Sequence, residues 1–227
     1  LSIKKGKHED LSTQGILDRI SREFFQPRIL DNSMRGLRCE CMIAQAIGAN
    51  CKIVSSGWWP WDLQLGHDHA EFPDRIRIQV KSSARLQLWN QKTDRRSDCI
   101  FNLTYRRLPS YFQRDSEGVA CEPVGFMCDL YALCFHGEKD VEIANQTDPS
   151  QWVVYLVPTN PELGAITDAE IAYAHANLTT NGRSSAVQRR PSTIERGIRG
   201  RRPIQPIPVG EVTEQMIRDS LDLSKVT

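Results

Sequence analysis

The chain has 227 residues, 40% hydrophobic and 25% charged, with a net charge of +1. That balance is ordinary for a soluble globular protein and is enough for one large domain or a domain with an appendage. No apolar run approaches the roughly 18 residues of a membrane-spanning helix, and the polar start "LSIKKGKHEDLSTQG" lacks the apolar centre of a secretory signal, so the expectation is a cytoplasmic protein with no membrane partner.

In chain order, residues 1–32 read as a helical lead-in. "GILDRI" and "SREFFQP" place apolar residues at helical spacing, and Pro27 is expected to end the element. "RGLRCECMIAQAIGAN" follows as a helix closed at Gly48 or Asn50, with an apolar stripe through Leu37, Cys41, Ala44 and Ile47 and with Ile43 alongside. Glu40 falls within that stripe. A carboxylate facing a core is costly unless it is paired or binds a metal.

"CKIVSSGW", "WDLQLG" and "RIRIQVKSSA" read as three successive strands, the last two joined by the polar turn "GHDHAEFPD". "CIFNLTY", "DLYALCFH" and "WVVYLVPT" are further strands of the buried kind, and "TDAEIAYAHANL" is a helix. The fold class expected is α/β, a mixed central β-sheet flanked by helices, with the core over residues 33–178. Residues 179–227 are expected to form an Arg/Pro-rich segment and a closing helix, "VTEQMIRDSLDL". Between Arg183 and Arg202 seven arginines face one acid, Glu195, so this stretch carries +6 and the rest of the chain −5. Such a segment is either a footprint for a polyanion or a solvated loop. The seven cysteines show no repeated CxxC spacing and sit among apolar neighbours, which favours reduced core thiols over disulfides or zinc.

Strand alternation puts Ile76, Ile78 and Val80 on one face of "RIRIQVKSSA" and Arg75, Arg77, Gln79 and Lys81 on the other. A hairpin would bring Asp62, at the start of the preceding strand, beside them. Two acids (Glu40, Asp62) and an amide oxygen (Gln79) suit a hard divalent cation such as Mg²⁺. An adjacent ammonium (Lys81) suits orientation of a water or stabilisation of phosphate charge. Bland readings stand beside this one. Gln79 and Lys81 could be the wet face of an edge strand, Asp62 could cap a turn, and Glu40 could pair with Arg38 or Lys52. Asp74, in "FPD", competes with Asp62 but has the wrong parity relative to Gln79 unless a bulge intervenes. His67 and His69 flank Asp68 in a turn without a third ligand nearby. Trp58, Trp59 and Trp61 could stack on bases or wall the core. Neither a Gly-rich phosphate loop nor a GxSxG element is present.

A helix-borne Glu, then "WDL", then "IQVK" resembles the PD-(D/E)XK phosphodiesterase superfamily, which includes restriction endonucleases and Holliday-junction resolvases. In that family the motif reads Asp, a spacer, then (Asp/Glu)-x-Lys on the next strand, often with a Glu from the first helix. Gln79 stands where an acid is usual, and the Q-x-K form resembles the Mrr-like branch. The resemblance covers about residues 33–135 and implies a restriction-endonuclease-like core. It makes Asp62 the principal metal ligand, with Gln79 through its side-chain oxygen, the Val80 carbonyl, and Glu40 directly or through water. Lys81 would serve the attacking water. It further implies Mg²⁺ (or Mn²⁺) as cofactor, DNA as substrate, and a homodimer, since cutting both strands takes two sites. Ser83 and Arg85 are placed to meet a phosphate near the metal, and Arg189, Arg190, Arg199, Arg201 and Arg202 to hold the DNA backbone. Competing expectations are a junction resolvase and a non-catalytic DNA-binding module built on a degenerate core.

Overall fold

The patterns above become helices and strands in a computed structural model, which describes residues 12–54, 59–66, 75–93, 95–107, 124–178, 184–197, 201–222 and 224. Helix α1 (Thr13–Ile20) is capped by the Ser12 hydroxyl and runs into a π-helical turn, Ser21–Phe25, just short of Pro27. Helix α2 (Asn32–Ile47) starts at Asp31, whose carboxylate accepts from the Ser33 and Met34 N–H groups at 2.7 and 3.1 Å, satisfying two otherwise orphaned donors. It stops at Gly48, where φ is +98°, a backbone that glycine tolerates and other residues resist.

The buried stripe of α2 is Arg35, Cys39, Met42 and Ile43, while Leu37 and Cys41 are exposed. This corrects the expected stripe. Counting apolar residues passes over Arg35, yet Arg35 is buried because its guanidinium donates to Gln87 Oε1 and Asn32 Oδ1, each at 2.7 Å. Glu40 therefore lies at the margin of the buried face, half-exposed, rather than within it.

Strands β1 (Cys51–Ile53), β2 (Leu63–Leu65) and β3 (Ile76–Ala84) form an antiparallel meander. The chain then makes an antiparallel layer with β4 (Phe101–Arg107) and β5 (Val124–Phe126), and returns as β6 (Leu130–His136), parallel to β3. Strand β7 (Trp152–Pro158) adds antiparallel to β6, helix α3 (Asp168–Ala176) follows, and β8 (Ser184–Arg189) pairs with β4. Helix α4 (Pro191–Arg196), the short β9 (Ile207–Pro208) beside β7, and helix α5 (Glu214–Ser220) complete the order. The result is mixed α/β: a six-stranded mixed sheet β1-β2-β3-β6-β7-β9 and a three-stranded sheet β5-β4-β8. The elements pair across the boundary expected at 178/179, β8 in one sheet and β9 in the other.

Alternation in the six-stranded sheet divides two cores. Ile76, Ile78 and Val80 join Leu130, Ala132, Trp152 and Val154 under Cys39, Met42 and Ile43 of α2 and Ile217 of α5. On the opposite face Tyr131, Leu133, Tyr155 and Val157 meet Phe101, Leu103, Tyr105 and Val187 of the second sheet, with Ala174 of α3 and Ile194 of α4. Strands β6 and β7 are covered on both faces, which explains their unbroken apolar sequences. "CIFNLTY" is a buried strand, but in the second layer. Among the described residues six cysteines are free, and Cys39, Cys99, Cys128 and Cys134 are buried. Within the same residues no helix is long and apolar enough to cross a membrane.

His136, at the end of β6, is fully buried against the Trp152 ring with ring centroids 5.1 Å apart. Its Nε2 lies 3.0 Å from Gln151 Oε1, so Nε2 carries the proton. A second proton would place a charge in the core, and burial outweighs the hydrogen bonds of Gln151 and Asn145 to hold the imidazole below its ordinary value of 6.5. The unfolded chain then binds a proton that the folded one refuses, so stability is full above pH 6.5 and falls as pH drops below it. Urea midpoints are expected to fall between pH 7.5 and 5.5, and His136→Gln, though less stable at pH 7.5, is expected to lose most of that slope.

Candidate functional site

Strand β2 covers β3 only from Ile76 to Ile78. Beyond that point β3 runs on to Ala84 without β2 beside it. Asp62 sits at the fork where the strands part. Its N–H donates to the Ile78 carbonyl at 3.0 Å, and its own carbonyl accepts from the Val54 N–H at 2.8 Å. Its carboxylate turns into the gap, where Oδ2 accepts from the Val80 N–H at 2.7 Å and from Gln79 Nε2 at 2.8 Å. The carboxylate thus takes over a strand donor that has lost its ladder partner.

Gln79 and Lys81 lie on one face of β3 and are half-buried, with Tyr131 and Leu133 beside them in register on β6. The Val80 carbonyl leaves β3 on the same edge as that of Ile78, two residues before it. Among the described residues no donor closes on Asp62 Oδ1 or Gln79 Oε1, and Lys81 makes no hydrogen bond or ion pair. The structure therefore brings Asp62, Gln79, Val80 and Lys81 to one place.

Helix α2 packs on the Ile78 and Val80 face of the sheet through Cys39, Met42 and Ile43, with Glu40 half-exposed at the margin of that buried stripe. Among the described residues no group of three or more His, Cys, Asp or Glu side chains could hold a metal. The donors at the fork are instead one carboxylate, one amide oxygen and one backbone carbonyl. An all-oxygen set of that kind fits Mg²⁺, which keeps several waters and takes few protein ligands. To serve as a ligand the Gln79 amide must turn its oxygen toward the site, exchanging its hydrogen bond with Asp62 for coordination. Burial pushes the nearby Cys128 thiol up to about 12, so it supplies no thiolate nucleophile.

The other expected contacts are distributed less favourably. Ser83 is buried and hydrogen-bonds toward the Cys99 thiol, and Arg85 lies over the Phe135 ring at 5.8 Å. Arg189 and Arg201 both close on Glu170, at 2.8 and 2.6 Å, with nearly buried guanidiniums. They are engaged inside the protein rather than presented to a polyanion, because the segment that carries them folds back as β8 and packs on α3. Arg190 is exposed, Arg202 half-buried, and Arg199 lies outside the described residues. So do Trp58, His67, Asp68, His69 and Asp74.

Sequence reasoning missed the partner of Arg77. Asp129 takes that guanidinium in a bidentate pair, with contacts of 3.0 and 2.6 Å, and also accepts the Arg77 N–H at 2.7 Å. Those hydrogen bonds raise Arg77 above its usual range. Only the strand order, with β6 parallel beside β3, places Asp129 there. Trp61 is buried under Arg75 and Arg77, at 5.3 and 5.6 Å, while Trp59 remains largely exposed 5.0 Å away.

In comparisons with known proteins the chain matches no family model, no curated protein and no solved structure.

Proposed function

We propose that the protein is a Mg²⁺-dependent DNA endonuclease with a restriction-endonuclease-like core of the Q-x-K kind, working as a homodimer in restriction or defence. The observation that carries this reading is the 2.8 Å contact between Gln79 and Asp62 across the parting strands, with Lys81 on the same face and unpaired among the described residues. Asp62, Gln79 and the Val80 carbonyl would hold Mg²⁺, which when bound polarises a phosphate oxygen and lowers the pKa of a bound water. Lys81 orients that water or meets the charge that builds on the phosphate. Glu40 would bind the metal directly or through water. Exposed arginines of the C-terminal stretch, such as Arg190, supply phosphate contacts.

A second reading has an observation of its own. The Asp62 carboxylate already has a structural duty in capping Val80 N–H, and one carboxylate is a weak charge complement for a divalent ion. A DNA-binding module with an inactive core would look the same. Incubating the protein with linear, supercoiled and four-way-junction DNA in Mg²⁺ or Mn²⁺ separates these readings. Nicked and linear products from supercoiled DNA are expected. Products from the junction alone would favour a resolvase, and binding without product under either metal would sink the nuclease reading.

A further inference from the structure

The turn after β3 combines two properties that loops rarely share. Its tip is apolar and open, with Leu88 54% and Trp89 66% exposed. Its base is held by buried amides. Asn90 is fully buried, with Oδ1 accepting the Gln87 N–H at 2.7 Å and Nδ2 donating to the Arg85 carbonyl at 3.1 Å. Gln87, also buried, donates to the Ala84 carbonyl at 2.8 Å and accepts from Arg35 at 2.7 Å. Gln146 clasps the Leu86 carbonyl at 2.9 Å and the Leu30 N–H at 3.0 Å. Exposing a tryptophan costs hydrophobic free energy, and a loop this well braced could have withdrawn it into the core. The bracing instead fixes the backbone on either side of an exposed ring, so that part of the ordering cost has been met before any ligand arrives.

The surrounding charge names the ligand. From Arg85 to Arg96 there are four cations and one acid, Asp94. Lys92 and Arg95 are exposed and make no ion pair among the described residues. An aromatic face flanked by free cations matches a base flanked by phosphates.

We propose that the 85–96 loop is a nucleic-acid-binding element in which Trp89, with Leu88 beside it, stacks on a base displaced from its own stack. Lys92 and Arg95 hold the neighbouring phosphates. The inference rests on the DNA reading for the polymer and not on hydrolysis. It sharpens that reading, since the substrate must offer an unstacked base near the strand that carries Lys81.

The test uses the full chain with Asp62→Asn, in EDTA, and a fluorescein-labelled single strand of twenty thymidines read by anisotropy. Trp89→Ala is expected to weaken binding roughly tenfold, in line with loss of one stacked base, while Trp89→Phe stays within about threefold of the parent because it keeps a stacking face. The Lys92→Ala/Arg95→Ala pair is expected to lower the salt slope by about 1.4, two phosphates at about 0.7 each. Thermal melts should not move, since these side chains are in solvent. Failure of the parent to bind the oligonucleotide, or Trp89→Ala binding within about twofold of it, overturns the proposal. So does a Trp89-dependent affinity for anionic phosphatidylserine vesicles with none for DNA. If Trp89-dependent binding holds but no cleavage is found, the nuclease reading fails alone. If Asp62-dependent cleavage is found and Trp89 is silent, this inference fails alone.

Discussion

Asp62→Asn is expected to abolish metal-dependent cleavage and leave the fold almost untouched, whereas Asp62→Ala is expected to damage both. Asparagine keeps an oxygen for the Val80 N–H and an amide that can pair with Gln79 once that side chain turns over, so the fork between β2 and β3 stays closed. Alanine leaves the Val80 N–H and the Gln79 amide without their acceptor, at a cost of about 1–3 kcal/mol. For chemistry the two substitutions are equal, since each removes the Asp62 carboxylate from the fork's donors. Lys81→Ala isolates the other half of the site. The ammonium has no hydrogen-bond or ion-pair partner among the described residues, so stability should change by less than about 0.5 kcal/mol, while cleavage should fall about 10²–10³-fold if the charge meets the developing phosphate anion. Urea denaturation and supercoiled-plasmid cleavage, measured on all three variants, decide between a metal ligand and a strand cap. A cap alone predicts that Asp62→Asn behaves as the parent protein in both assays.

The local half of this site was legible because it depends on period and adjacency. Two-residue alternation put Gln79 and Lys81 on one face, and a hairpin between "WDLQLG" and "RIRIQVKSSA" put Asp62 beside them; β2 and β3 pair in that way. What failed to be legible depends on partners distant in sequence. Arg35 reads as a surface residue until Gln87, fifty-two positions later, turns out to accept its proton, and that single buried arginine turns the whole α2 stripe and moves Glu40 to its margin. The C-terminal stretch misled for a related reason. Composition registers seven arginines but not Glu170, the one acid that draws two of them inward. Only a short alternating run, "SSAVQR", marks β8 as a strand, and its flanking charge disguised it.

That carboxylate should dominate the stability of the C-terminal half. Glu170 binds Arg189 through both oxygens, at 2.8 and 2.9 Å, and Arg201 through Oε1 at 2.6 Å, and its Oε2 also accepts the Thr167 N–H that starts α3. Burial lowers the Arg189 guanidinium from its usual value despite the carboxylate, a sign that the charge is held in a costly place. Burial alone would raise Glu170, but the hydrogen bonds and charge of Arg189, with help from Thr167 and Arg201, outweigh it and keep the carboxyl below its ordinary 4.5. Its contribution is therefore present above that pH and is lost as pH falls through the lower folded value. Glu170→Ala leaves two cations facing each other with one of them buried. The expected cost is about 3–5 kcal/mol, or a drop in Tm on the order of 10 °C for a chain of this size. Arg201→Ala should cost far less, because the two-pronged contact with Arg189 survives. The decisive comparison is Glu170→Leu with Arg189→Met, which removes the buried charge as well as its partner. If stranded charge is what destabilises Glu170→Ala, the double variant recovers most of the Tm. If the loss lies in packing between α3 and β8, the double variant melts as low as Glu170→Ala.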